Sequence, residues 1–168
     1  MEMRLALAIC AVLGCALCGK AAADAVRRRY RVLDGLADGI QTLRIHMTAM
    51  LQPVRHALEK TGCDILTTVA ENMAEGRSAA DAWKAVRETV TRRGGAADAL
   101  TQADLEALDA LFSGLGQSGR EEQQALLEAA LQRIGRLRDG ALKRAGEADR
   151  LYVSLGLLIG LMLALIVI

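Results

Sequence analysis

Aromatic side chains are nearly missing from this 168-residue chain: one Trp, one Phe and two Tyr amount to 2% of it. Sheets draw on aromatic and β-branched residues, so a chain whose hydrophobic half is built of Ala and Leu favours helix. Proline occurs once, at Pro53, which leaves long stretches without the residue that interrupts helices. An excess of one charge is also lacking, with 21 basic and 20 acidic residues, so no global basic surplus calls for nucleic acid. There is no P-loop, nucleophile elbow or HExxH pattern. His46 and His56 are ten residues apart, which is not a ligand spacing on one helix. The run Glu121-Glu122 suits a helix start, where the dipole favours acid. The expectation is a protein that is not an enzyme, with no cofactor, metal, small-molecule substrate or nucleic-acid partner.

What the chain does have is apolar ends. Leu151 to Ile168 is 18 residues without a charge. As a helix it spans about 27 Å, close to the ~30 Å hydrocarbon core of a bilayer. Tyr152 stands at its start, where an amphipathic ring suits the interface. Gly156 and Gly160 form GxxxG within it, a pattern that permits close helix contact. The N-terminal run, Leu5 to Gly19, is 15 residues between Arg4 and Lys20. Three readings stand: a short anchor extended by Ala21 to Ala23 while Lys20 snorkels, a cleaved signal peptide, or a lipoprotein signal, since Val12-Leu13-Gly14-Cys15 resembles a lipobox.

Charge orients these ends. Lys20, Arg27, Arg28, Arg29 and Arg31 follow the first run, and Arg133, Arg136, Arg138, Lys143, Arg144 and Arg150 precede the second. Basic residues flanking spans stay on the cytoplasmic side, which puts the middle of the chain in the cytoplasm. Cys10, Cys15 and Cys18 lie in the first run and Cys63 alone in the middle. Cys15 and Cys18 are three apart, yet within an apolar helix they read as small apolar residues, and no Cys/His set at zinc-ligand spacing accompanies them.

The middle reads as a succession of helices. Leu33, Leu36, Ile40, Leu43, Met47, Met50 and Val54 follow at steps of three and four, a heptad seam that Pro53 should break or kink. A short helix from Pro53 to about Lys60 closes at Thr61-Gly62. Ile65, Leu66, Val69 and Met73 mark a third, ended by Gly76. Ser78 is a cap before Ala82, Trp83, Val86 and Val90, and Gly94-Gly95 breaks the chain again. Thr101 with Asp104 comes close to a capping box ahead of Leu105, Leu108, Leu111, Phe112 and Leu115. Gly114, Gly116 and Gly119 make the next turn with Ser118 as cap, and a long helix with Leu127, Leu131, Ile134 and Leu142 inside runs on into the final apolar run. The fold class expected is all-α: an antiparallel helical bundle over 26–150, between an N-terminal anchor or signal-like segment (1–25) and a C-terminal transmembrane helix (151–168).

Four stretches carry a family resemblance. Leu43 to Leu58, LRIHMTAMLQPVRHAL, resembles the LExEI-YG-TPLxEAL segment of stage III sporulation protein AB, with Leu43, Met47, Pro53, Val54, Ala57 and Leu58 in register. Gly76-Arg77-Ser78 followed by Ala82-Trp83 is similar to that family's Gly and Ala-Trp pair. Leu115-Gly116-Gln117-Ser118, with Gln123 or Gln124 following, resembles its LGxSDxxxQ turn. Ser154 to Gly160 resembles its closing LGVLxGLL span. Arg44 and His46 stand where the family usually has two glutamates, Ala49 replaces a tyrosine and Gly119 an aspartate.

The resemblance implies a subunit of the channel built between mother cell and forespore, in the mother-cell membrane around the forespore. It also implies a soluble domain similar to the cytoplasmic domains of the type II secretion inner-membrane platform protein. Its partners would be membrane lipid, a secretion-type ATPase (stage III sporulation protein AA) and other channel-complex subunits. The polar turn Gly114, Leu115, Gly116, Gln117, Ser118 to Gln123 is the expected docking surface, and Gly156 and Gly160 the expected membrane-helix contact. The alternative is an exported lipoprotein or envelope protein held by Cys15 and the C-terminal span.

Overall fold

A computed structural model describes the backbone of residues 2–167; the surroundings of side chains are described for Asp24, for 27–147 except Glu75, and for Gly14, Leu151, Ser154, Leu158 and Met162 in the terminal runs. Among the described residues there are six α-helices and no strand: α1 Glu2–Thr48, α2 Val54–Glu59, α3 Asp64–Asn72, α4 Ala79–Thr91, α5 Gln102–Gly114 and α6 Arg120–Val167. The protein is all-helical. The chain divides into two compact units, one formed by Arg31–Asp139 and the other by the two ends, Met1–Tyr30 and Gly140–Ile168.

The unit Arg31–Asp139 holds the large apolar core. Leu33, Leu36, Ile40 and Leu43 of α1 are fully buried, on the face that steps of three and four select. The seam stops there. Helix α1 ends at Thr48, so Met50, placed in the seam by its spacing, leaves the helical face and is 57% exposed. Pro53 breaks the helix and does not kink it. With φ −57° and ψ 145° it opens α2, and its ring disfavours helical geometry in the residue before it.

Local signals end and start the next helices. Gly76 closes the 3₁₀ turn Met73–Glu75 with φ 79°, a left-handed conformation that glycine adopts without a Cβ penalty. The Ser78 hydroxyl accepts the Asp81 N–H at 3.1 Å and caps α4. At the α5 start the Asp104 carboxylate accepts the Thr101 N–H and hydroxyl, each at 2.8 Å. Those two bonds offset the cost of burying Asp104 completely. In α5 the buried arc runs through Ala107, Leu108, Leu111 and Phe112, and Leu105 lies at its edge, half-buried.

Within this unit α1 runs antiparallel to α6. Asp34 pairs with Arg138 at 3.6 Å and Arg44 with Glu128 at 3.4 Å, ten residues up one helix and ten down the other. Helices α5 and α6 are antiparallel too, since Glu106 meets Arg133 at 3.9 Å while Gly114 meets Gln123. These ion pairs are a third to a half exposed, so their share of stability is small. The core, fed by Leu127 and Ile134 of α6, carries the fold. At Gly39 a Cβ would lie 2.8 Å from Leu66 Cδ1 and 2.9 Å from Cys63 Cβ, so α1 rests directly on the start of α3.

In the unit made of the two ends, Ala141 and Ala145 of α6 are buried, while Leu142 is 50% exposed. Its place in the helix explains this, because the step from Ala141 turns it about 100° off the buried face. Among the described residues no helix is long and apolar enough to cross a membrane. The apolar runs 5–19 and 151–168 fall almost entirely outside the described side chains, and with them Cys10, Cys15, Cys18, Gly156 and Gly160.

Candidate functional site

The joint between α5 and α6 is organised by one buried amide. Gln123 is 6% exposed. Its Oε1 accepts the Gly116 N–H at 2.9 Å, and its Nε2 donates to the Gly114 carbonyl and the Ser118 hydroxyl, both at 2.8 Å. Gly116 has φ 78°, and a Cβ there would also stand 3.0 Å from Val54 Cγ2, so both conformation and close approach require glycine. A Cβ on Gly114 would stand 3.1 Å from Leu126 Cδ2. Of the residues expected to form the docking surface, Leu115 and Gln123 therefore point inward, Gly114 is half-buried, and Gly116, Gln117 and Ser118 are exposed. Ser118 does not cap α6. Its hydroxyl is taken by Gln123, and the helix begins at Arg120, leaving Gly119 at the cap with its N–H donated to Glu122 Oε2 at 2.9 Å.

The same joint meets the end of α1. Arg120 Nη2 donates to the Thr48 carbonyl, Val54 lies under Gly116, and His46 Nδ1 is 3.1 Å from Gln52 Oε1 across the α1–α2 connection. Beside them stands an apolar patch: Ile45, Met50 and Leu51 are 43, 57 and 65% exposed. Leu51 has φ 55°, a conformation that costs a non-glycine residue about 1–2 kcal/mol and that collects at functional sites. Spacing alone missed this patch because it counted Met50 into the seam. The signal that finds it is Met50-Leu51-Gln52-Pro53, apolar residues directly ahead of a proline and so beyond the helical face.

Two of the sequence stretches that carry the resemblance, 43–58 and 115–123, thus converge at one end of the domain. The stretch with Ala82-Trp83 does not join them. Trp83 is 2% exposed, stacks on Phe112 with ring centroids 5.0 Å apart, and donates from Nε1 to Asp109 Oδ1 at 2.6 Å. It fastens α4 to α5. Cys63 caps α3 and is half-buried. Burial pushes its thiol up, against the pull of the Leu66 and Ile65 backbone hydrogen bonds. Among the described residues no group of His, Cys, Asp and Glu is placed to hold a metal ion.

The geometry defines an all-helical domain whose exposed joint offers contact surface. Residues 4–168 match the family model of stage III sporulation protein AB, and the chain belongs to that family. Its role is therefore in sporulation. No curated protein and no solved structure matches it.

Proposed function

We propose that the protein is a non-enzymatic platform subunit of the channel between mother cell and forespore, and that it couples a cytoplasmic secretion-type ATPase, stage III sporulation protein AA, to membrane components. The observation that carries this reading is the convergence of stretches 43–58 and 115–123 on one joint, where Arg120 donates to the Thr48 carbonyl and Val54 lies under Gly116, with Met50 and Leu51 exposed in the first stretch and Gln117 and Ser118 exposed in the second. Apolar anchors ringed by polar groups are what a protein partner recognises. Arg44 and His46 border the joint, so the partner surface must tolerate basic groups where relatives carry acid. Anchoring at the C-terminal end is supported by Leu151, Leu158 and Met162, which are 58, 62 and 70% exposed. Side chains of that size are covered by lipid at less cost than by water.

The docking test is co-purification of the ATPase with the full chain carrying Met50→Glu with Leu51→Glu, or Gln117→Arg. Loss of co-purification with an unchanged melting curve supports the joint as the docking surface; retention in both variants removes it. Topology is tested with a thiol probe. Cys63 is a poor reporter, being half-buried and raised, so the exposed Ala85 is changed to Cys in a chain stripped of native cysteines. Labelling by a membrane-impermeant maleimide only after lysis supports a cytoplasmic domain. Labelling in intact protoplasts removes the ATPase reading and favours the exported protein held by Cys15.

A further inference from the structure

Charge is segregated along this chain. Residues 20–31 and 133–150 together carry eleven basic and four acidic side chains, a net +7, whereas residues 32–132 carry nine basic and fifteen acidic, a net −6. Setting topology requires only a bias of basic residues; it does not require the rest of the chain to be acidic. Between Asp24 and Asp34 there are four arginines and no carboxylate. Arg27, Arg28 and Arg31 are exposed, as are Lys143 and Arg144. In α6 the cations and the buried contact occupy different faces of the same two turns, since Ala141 and Ala145 are buried. Glu147 is the one carboxylate in 140–147.

We infer that the basic residues nearest the apolar ends, Arg27 to Arg31 of α1 and Lys143 and Arg144 of α6, bind the phosphate groups of anionic lipids, while Arg133 and Arg138 pair with Glu106 and Asp34 within the domain; the inference rests on the two-anchor reading above. At ~1.5 Å per residue, Arg27 to Arg31 lie about 6–12 Å past Ala23, and Lys143 and Arg144 about 12 Å before Leu151. The headgroup layer extends about 5–7 Å beyond the hydrocarbon on each side, so both lie within roughly one Debye length, about 8 Å at physiological salt, of the lipid headgroups. A basic side chain so placed is worth ~1 kcal/mol against an anionic leaflet, about five-fold in affinity. The acidic stretch 32–132 gains nothing from that surface, so the attraction to the headgroups falls on the basic stretches alone.

The experiment titrates the full chain, in neutral detergent, with phosphatidylglycerol or phosphatidylcholine in mixed micelles, and follows the melting midpoint. Phosphatidylglycerol should raise the midpoint above the phosphatidylcholine value at low salt, and high salt should remove the difference. The variants R27Q/R28Q/R29Q and K143Q/R144Q should weaken the apparent affinity for phosphatidylglycerol by on the order of 100-fold and 25-fold respectively, with helix content unchanged in phosphatidylcholine. Equal effects of the two lipids, or full discrimination in both variants, overturn the inference. So does a shift reproduced by inorganic phosphate, which assigns the cations to a soluble anion. Alkaline extraction of membranes separates the two layers of the argument. A chain released by carbonate overturns anchoring and lipid binding together, while a chain that stays in the membrane yet ignores phosphatidylglycerol overturns only the lipid inference.

Discussion

Changing Gln123 to Ala should loosen the α5–α6 joint by about 2 kcal/mol. The side chain makes three hydrogen bonds, to Gly116, Gly114 and Ser118, each with a net worth of ~0.5–1.5 kcal/mol. Gly116 and Ser118 are exposed and regain water when the amide goes, whereas the Gly114 carbonyl is half-buried and regains less. That places the total toward the lower part of the summed range. For the unit Arg31–Asp139, a loss of this size lowers the melting midpoint by on the order of 8 °C, read by circular dichroism of the full chain in detergent. Gln123→Glu sharpens the test. It places a carboxylate oxygen where Nε2 now donates, 2.8 Å from the Gly114 carbonyl, so acceptor faces acceptor and the loss should be at least that of alanine. A drop below about 2 °C for Gln123→Ala, or a Glu variant that melts like the native chain, refutes the assignment of this amide as the fastener of the turn.

Gly39→Ala should cost about 1–3 kcal/mol in denaturant unfolding, because the new methyl overpacks against Leu66 and Cys63. Trp83→Phe keeps the stack on Phe112 but gives up the bond to Asp109, and about 1.5 kcal/mol should go with it. Leu51→Gly should raise the melting midpoint by a few degrees, since glycine takes φ 55° without strain, while weakening ATPase capture through loss of the apolar anchor. The thiol of Cys63 sits above its ordinary value of 9.0 in the folded chain. The contribution of its neutral form to stability is therefore complete below 9.0 and lost as pH rises through the higher folded value. Alkylation of Cys63 at pH 8 should be slower than in urea-unfolded chain; equal rates remove the burial argument.

Much of the fold is legible from residue order alone, because its causes are local. The shortage of aromatics, the single proline and the steps of three and four specify helices, and Ser78, Gly76 and Thr101 with Asp104 mark ends that the structure keeps within a residue or two. These are interactions of a residue with its neighbours along the chain. The family is legible as well, since its motifs are strings.

The joint at the end of α1 and the α5–α6 turn belongs to tertiary structure. Gln123 looks like a surface polar residue in the sequence, and it becomes an internal fastener only when the chain reverses and brings Gly114, Gly116 and Ser118 within its reach. Ser118 loses the role of cap as well, because the turn held by Gln123 starts the helix at Arg120 and so places Gly119, not Ser118, at the cap. Met50 follows the spacing of a core, yet the break ahead of Pro53 turns it outward together with Leu51, on the connection that leads to Val54 under Gly116, a residue more than sixty positions later in the chain. A periodic pattern fixes which face of a helix is apolar while the helix lasts; where the helix stops, and what stands opposite, is decided by contacts between residues distant in sequence.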